Sequence, residues 1–193
     1  EELLKDSLLS IRDNVDYISV VFQIVSNFGN CVTTDITKLL TDLANQGLID
    51  EVVHYSPDQS KHPHENERIK RNIGVELSLK NGCTHHISMD ADELYEPDQF
   101  KTAKEIIEDG DFDSSACRLV TYYRNDHTVL DPMEDYFVPF IYSIYEHTMF
   151  APVQFPVLVD PTRRMEPGKF HEFSPNWLVM HHYSYVRNNL RAK

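Results

Sequence analysis

Apolar residues recur along this chain with two periods that take turns, and that alternation restricts the fold more than any single motif. Leu3, Leu4, Leu8, Leu9 and Ile11 fall at helical spacing, which predicts a helix over residues 2–12. Tyr17 to Phe22 is a short β-rich run that closes in the polar turn Ser26-Asn27-Phe28-Gly29-Asn30. Thr34 or Asp35 can cap a second helix, in which Ile36, Leu39, Leu40 and Leu43 share one face and Gly47 is the stop. Glu51 to Tyr55 reads as the next strand, and the polar stretch from Pro57 to Glu67 is expected outside the core. A third helix is expected from about Glu67 to Lys80, with Ile69, Ile73, Leu77 and Leu79 among its apolar positions. Asn81-Gly82 ends it, and His85 to Met89 leads as a strand into Asp90. Alternating helix and strand is the pattern of βαβ units, so an α/β fold with a mainly parallel sheet flanked by helices is expected. Ligands of such sheets bind beyond the carboxyl ends of the strands, where Ser26 and Asp90 fall.

The second half changes character. Pro97 opens a helix predicted through Ile107, and β-rich runs follow at Ser115 to Tyr123 and Tyr136 to Tyr145. Most aromatic residues and prolines lie here, which predicts mixed or antiparallel strands and long loops. At 193 residues, 41% of them hydrophobic, the chain can bury one α/β core, and two full domains are not expected. The change of character divides that single domain into two halves, 1–97 and 98–193. No apolar run reaches the roughly 18 residues of a membrane span. The formal net charge of −13 repels a phosphate backbone, so nucleic acid is not an expected partner. Cys31, Cys83 and Cys117 are odd in number and lack CxxC spacing. They read as buried thiols of a reducing compartment, the cytoplasm, rather than as a disulfide framework.

Ser88-Met89-Asp90-Ala91-Asp92-Glu93 sets three carboxylates in four residues at the end of an apolar strand. On an extended backbone Asp90 and Asp92 would point to one side, about 6.5 Å apart, a spacing that suits one divalent cation. Hard oxygen ligands favour Mg2+ or Mn2+, with positions left for substrate phosphates. The competing reading is a solvated acidic turn.

Around that motif, Lys70-Arg71-Asn72-Ile73-Gly74-Val75-Glu76, then Asn81-Gly82-Cys83-Thr84, then Asp90-Ala91-Asp92-Glu93 resemble glycosyltransferases of the GT-A fold. The pattern is most similar to family 2, and it extends back over Leu8 to Ile11, Val15 to Ile18, Val20-Val21 and Ser26 to Asn30, about residues 1–97 in all. The resemblance implies a GT-A-like nucleotide-diphospho-sugar transferase fold that lacks its first strand here. It implies a hexosyltransferase moving sugar from a UDP- or GDP-sugar to an acceptor hydroxyl on a glycan, lipid or protein. Asp90 and Asp92 would hold Mn2+ or Mg2+ against the diphosphate, with Asp90 also on the ribose. Arg71 and Asn72 would lie near the nucleotide, and Gln23 and Ser26 near the base or ribose. Gln23 stands where the family commonly has an acidic residue, which leaves the base open.

In Met180-His181-His182-Tyr183, the placement of His182 is similar to that of a third metal ligand in several GT-A enzymes, with His181 as competitor. On a strand, only one of the two would face the site. Arg187 could meet the diphosphate, or belong to a solvated basic end with Arg191 and Lys193. For the acceptor proton the candidates are Glu134-Asp135, Asp160 and Glu172, with Asp135 ahead because family 2 enzymes often carry the base in such a pair. Asp131 and Asp160 each precede proline and read equally as turn residues. His62 and His64 lie in a polar loop and read as solvent-exposed. No GxxxxGK[ST], GxSxG or GxGxxG occurs. Two other functions remain open at this point: a nucleotidyltransferase making nucleotide sugars, and a non-catalytic nucleotide-sugar-binding module.

Overall fold

The computed structural model describes residues 2–31 and 35–186. Helix α1, Leu4–Ile11, turns Leu4, Ser7, Leu8 and Ile11 inward. Strand β1, Ser19–Phe22, follows, and α2, Ile36–Asn45, starts where Asp35 accepts a hydrogen bond from the Thr37 amide at 2.9 Å. That cap satisfies an amide left open at the helix start, and Leu40 and Leu43 anchor the buried face. Strand β2, Glu51–His54, pairs with β1 in parallel, Ser19 opposite Glu51.

Helix α3, Pro63–Lys80, begins four residues before the expected start. His62 caps it and Pro63 fills its first turn, where a missing N–H costs nothing. The stretch expected outside the core therefore contributes to it. Asn66 is fully buried, taking hydrogen bonds from Tyr55 Oη at 2.7 Å and the Asp58 amide at 3.0 Å, and giving one to Asp58 O at 2.8 Å. His62 and His64 are exposed, as expected. Helix α3 ends at Asn81-Gly82, with Gly82 at φ +75°.

Two short strands flank the acidic motif: β3, His85–His86, and β4, Glu93–Leu94. Helix α4, Pro97–Gly110, opens on its proline, and β5, Ser114–Tyr123, β6, Phe137–Ser143, β7, Phe170–Glu172, and β8, Val179–Tyr185, complete the second half. Parallel pairing of the expected kind is confined in the first half to β1 and β2, the second half builds the mixed strands expected of it, and a mainly parallel sheet is not formed. The chain is a mixed α/β fold whose larger sheet runs β3-β6-β5-β8-β4, with β7 also on β5. Here β5 pairs antiparallel with β6 and parallel with β7 and β8, while β3 and β4 are antiparallel edges. Helix–strand alternation stops after α4, so nothing enforces parallel crossovers in the second half.

The main core draws on both halves, with Leu8, Ile11, Leu43, Phe100, Phe140 and Met180 in one cluster. Cys117 is buried in it, whereas Cys83 is half-buried and Cys31 exposed, so the expectation of three buried thiols holds for one. No helix among the described residues is long and apolar enough to cross a membrane. Strands β1 and β2 form a sheet of their own, separate from the larger one. A cavity of about 490 Å³ lies between β1 and the segment that contains β3.

Candidate functional site

Asp90-Ala91-Asp92-Glu93 is a tight turn, not an extended strand end: the Glu93 amide donates to Asp90 O at 3.1 Å, and β4 leaves in the reverse direction. The same-side geometry expected for Asp90 and Asp92 therefore does not form. Asp90 turns toward two guanidinium groups. Arg71 Nη2 stands 3.0 Å from its Oδ1, and Arg163 Nη2 stands 2.7 Å from its Oδ2. Arg71 also donates to Ser88 Oγ at 2.7 Å and pairs with Glu67 at 3.3 Å. Arg163 grips Glu93 with both nitrogens, at 2.6 and 3.0 Å. Both arginine side chains and that of Glu93 are only 5% exposed, against 47% for Asp90.

The electrostatics follow from this placement. Burial works to raise the pKa of Asp90, but Arg163 and then Arg71 hold its carboxyl well below the usual range. Glu93 goes the other way: burial raises its pKa more than Arg163 lowers it, and the Asp90 charge adds to the rise. Arg163, held by both carboxylates, stays protonated.

Beyond Glu93 the sheet continues the polar line. Glu93 lies opposite His182, and His182 opposite Thr121, so all three share one face of β4, β8 and β5. Thr121 Oγ1 donates to Glu134 at 2.5 Å. His182 Nδ1 is buried without a hydrogen-bond partner. His181, one residue earlier, faces the other side, where its Nδ1 meets Tyr122 Oη at 2.9 Å and Tyr122 stacks on Tyr183 at 4.3 Å. The choice between the histidines is thereby resolved as to facing: His182 shares the face of Glu93. Asp135 departs from expectation. Its side chain is 99% exposed and pairs with Arg118, which precedes Thr121 by an odd number of strand positions and so faces away from it. Glu134 is the member of the pair that joins the line.

Of the expected nucleotide contacts, Gln23 and Arg71 line the cavity along with Ser88 and Asp90. Gln23 Oε1 and Arg71 Nε are both buried with no hydrogen-bond partner. Asn72 is not there. Adjacent helix residues point about 100° apart, and Asn72 instead clamps the Phe150 backbone, giving to its carbonyl at 3.2 Å and taking from its amide at 2.7 Å. Ser26 is a turn residue, its Oγ accepting from the Phe28 and Asn30 amides at 3.2 and 3.1 Å. Asp160 caps a short 3-10 turn, Pro161–Arg163, and Glu172 is exposed on β7, so neither reaches the polar line. Arg187 lies outside the described residues, as do Thr34, Arg191 and Lys193.

Asp90, Asp92 and His182 are not assembled as one donor set. Asp90 is committed to two arginines, Asp92 sits across the turn with its carbonyl bound to the Tyr183 amide at 2.9 Å, and His182 faces Glu93. Among the described residues no group of three or more His, Cys, Asp and Glu side chains could hold a metal ion. The sequence reading missed Arg163 as the hub. Its only signal was Asp160-Pro161-Thr162, a capped turn that fixes the backbone there, and nothing local says where the arginine reaches. No family model matches this chain, and no curated protein matches it.

Proposed function

We propose that this chain binds a nucleoside diphosphate sugar at the mouth of its cavity and transfers the sugar to an acceptor hydroxyl. The observation that carries the reading is Arg71. It is a buried arginine that lines the cavity, is oriented by Asp90, Ser88 and Glu67, and keeps its Nε without a partner. A buried donor of that kind favours an acceptor-rich ligand. Gln23, with its own open oxygen on the cavity, supplies an acceptor for an N–H of a nucleobase.

In this reading Asp90 is a positioning group for Arg71 and Arg163. Glu134, exposed and held by Thr121, takes the acceptor proton, and His182 completes the wall between it and Glu93. The residues as arranged do not fit Mn2+ or Mg2+ as a built site, because Asp90 would have to leave both guanidinium groups first.

Calorimetric titration with UDP and GDP, each with Mn2+ and with chelator, tests the proposal. Binding of either nucleotide by the chain, weakened at least about tenfold in Arg71→Met, is the expected result. Absence of binding under every condition, or an Arg71→Met variant that binds equally well, would refute it.

A further inference from the structure

The sheet face that carries Glu93, His182 and Thr121 does not end at that line. Tyr123 follows Thr121 by two strand positions, so it points the same way about 7 Å farther along β5. Tyr185 follows His182 by three, which on a regular strand would turn it to the reverse side. The register shifts here, however. Thr121 lies opposite His182 and Tyr123 opposite Tyr185, so β8 holds one extra residue between them. That bulge returns Tyr185 to the side of Tyr123, with the two ring centroids 6.1 Å apart. On the other edge of β5, the Tyr122–Val129 bridge sets Leu130 opposite Thr121 and Thr128 opposite Tyr123. Leu130, Tyr123 and Tyr185 are exposed together on this one face.

The reverse face shows what a closed aromatic pair looks like in this fold. There Tyr122 and Tyr183 lie parallel at 4.3 Å, half-buried, each covering the other. Tyr123 and Tyr185 are tilted by 55° and do not cover each other. Arg124 holds this open pair in place. Its φ of +66° is left-handed, a conformation that costs energy in any residue with a side chain. In that conformation its amide donates to Tyr185 O at 3.1 Å, and its guanidinium carbon stands 5.2 Å over the Tyr123 ring. The charge around the patch narrows the choice of occupant. Residues 124–135 carry Asp126, Asp131, Glu134 and Asp135 against the single Arg124, which repels an anionic lipid surface. A sugar ring is neutral, with an apolar C–H side that suits an aromatic face and a rim of hydroxyls that carboxylates accept.

We propose that Tyr123, Tyr185 and Leu130 form a saccharide platform, and that the acceptor is a neutral glycan, one ring of which lies on Tyr123 while its hydroxyl reaches Glu134. Glu134 is anchored by Thr121, two residues back along β5, so the step from platform to carboxylate is about the length of one sugar residue. The β8 bulge is what makes the platform two rings wide, because without it Tyr185 would face away. The inference rests on the reading of Glu134 as the group that meets the acceptor, and it adds the acceptor's chemical class.

The test measures binding of cellotetraose, chitotetraose and mannotetraose to the chain without nucleotide, by saturation-transfer NMR and calorimetry. At least one should bind. Tyr123→Ala and Tyr185→Ala should each weaken that binding by about fivefold or more, and Tyr123→Phe should keep it within about twofold. Tyr145→Ala should leave it unchanged, since Tyr145 is exposed beyond β6, at the opposite end of β5. Absence of binding by all three saccharides, or binding indifferent to both alanine variants, would overturn the proposal. Tyr123-dependent association with phosphatidylglycerol vesicles in place of saccharide would also overturn it and make the patch a lipid-facing surface. The UDP and GDP titrations separate this site from the donor site. Nucleotide binding without saccharide binding sinks the platform alone; saccharide binding without nucleotide binding sinks the donor reading and leaves the platform standing.

Discussion

Replacing Arg163 with methionine isolates what the arginine hub contributes. The substitution keeps most of the buried volume but leaves Glu93, a side chain 5% exposed, without its bidentate partner. Breaking one side of a buried pair costs about 3–5 kcal/mol when the other charge must stay. Glu93 has an escape, which sets a ceiling: it can take a proton. Relative to an ordinary glutamate near pH 4.3, that costs about 1.4 kcal/mol per pH unit, hence about 4 kcal/mol at pH 7 and about 1 kcal/mol at pH 5. The sign follows from linkage. A carboxyl whose folded pKa is raised contributes stability below its unfolded pKa, and loses it as pH rises toward the folded value. The native protein already holds Glu93 above its ordinary range, and removal of Arg163 raises it further. Urea unfolding of Arg163→Met should therefore show a deficit larger at pH 7 than at pH 5 by up to about 2.7 kcal/mol, the loss of the Asp90 pairing being common to both. Adding Glu93→Gln should remove most of that pH-dependent part. A deficit independent of pH, unrelieved by Glu93→Gln, would show that Arg163 acts by packing and refute the electrostatic account.

Asn66→Ala removes three hydrogen bonds, one of them fully buried, and strands the Tyr55 hydroxyl, so urea unfolding should report a loss of about 3 kcal/mol. His86 is held neutral, its pKa lowered to about 4 by burial and then by Arg71. Its contribution is present above the unfolded value near 6.5 and is lost as pH falls toward 4, at up to about 1.4 kcal/mol per unit, and His86→Gln should flatten that slope in a pH series of unfolding midpoints. If the chain transfers sugar, Glu134→Gln should cut the transfer rate by about a hundredfold or more, while Asp135→Asn, on the far face, leaves it unchanged in a product assay. In the same assay His182→Ala should lower transfer and His181→Ala should not.

The elements that announce their own ends were legible in the sequence. Asp35 caps α2 through a local hydrogen bond and Pro97 opens α4 through its fixed φ, so residue type suffices. The start of α3 was obscured because His62, Pro63 and Asn66 are polar or breaking residues by composition, yet here they cap, pre-set and brace a helix. Arg71 and Gln23 line the cavity but Asn72 does not, since helical rotation separates neighbours that a motif groups together. The acidic motif was misjudged for a related reason: an extended backbone was assumed where the chain turns. Glu134 and Arg163 needed knowledge of which strand face and which distant loop meet β4, and no local pattern carries that.

The central strand β5 has consequences for the order of folding. It borders β6 along one edge, while its other edge is shared in succession by β7 and then β8. Pairing with β6 closes a short loop; pairing with β8 brings in residues from the far end of the chain, and β8 in turn must find β4. Closing the longer loops costs more entropy before any contact is gained, so they form late. The Thr121, His182 and Glu93 line therefore depends on long-range closures, and it joins together with the part of the core that Met180 of β8 and Tyr95 beyond β4 supply.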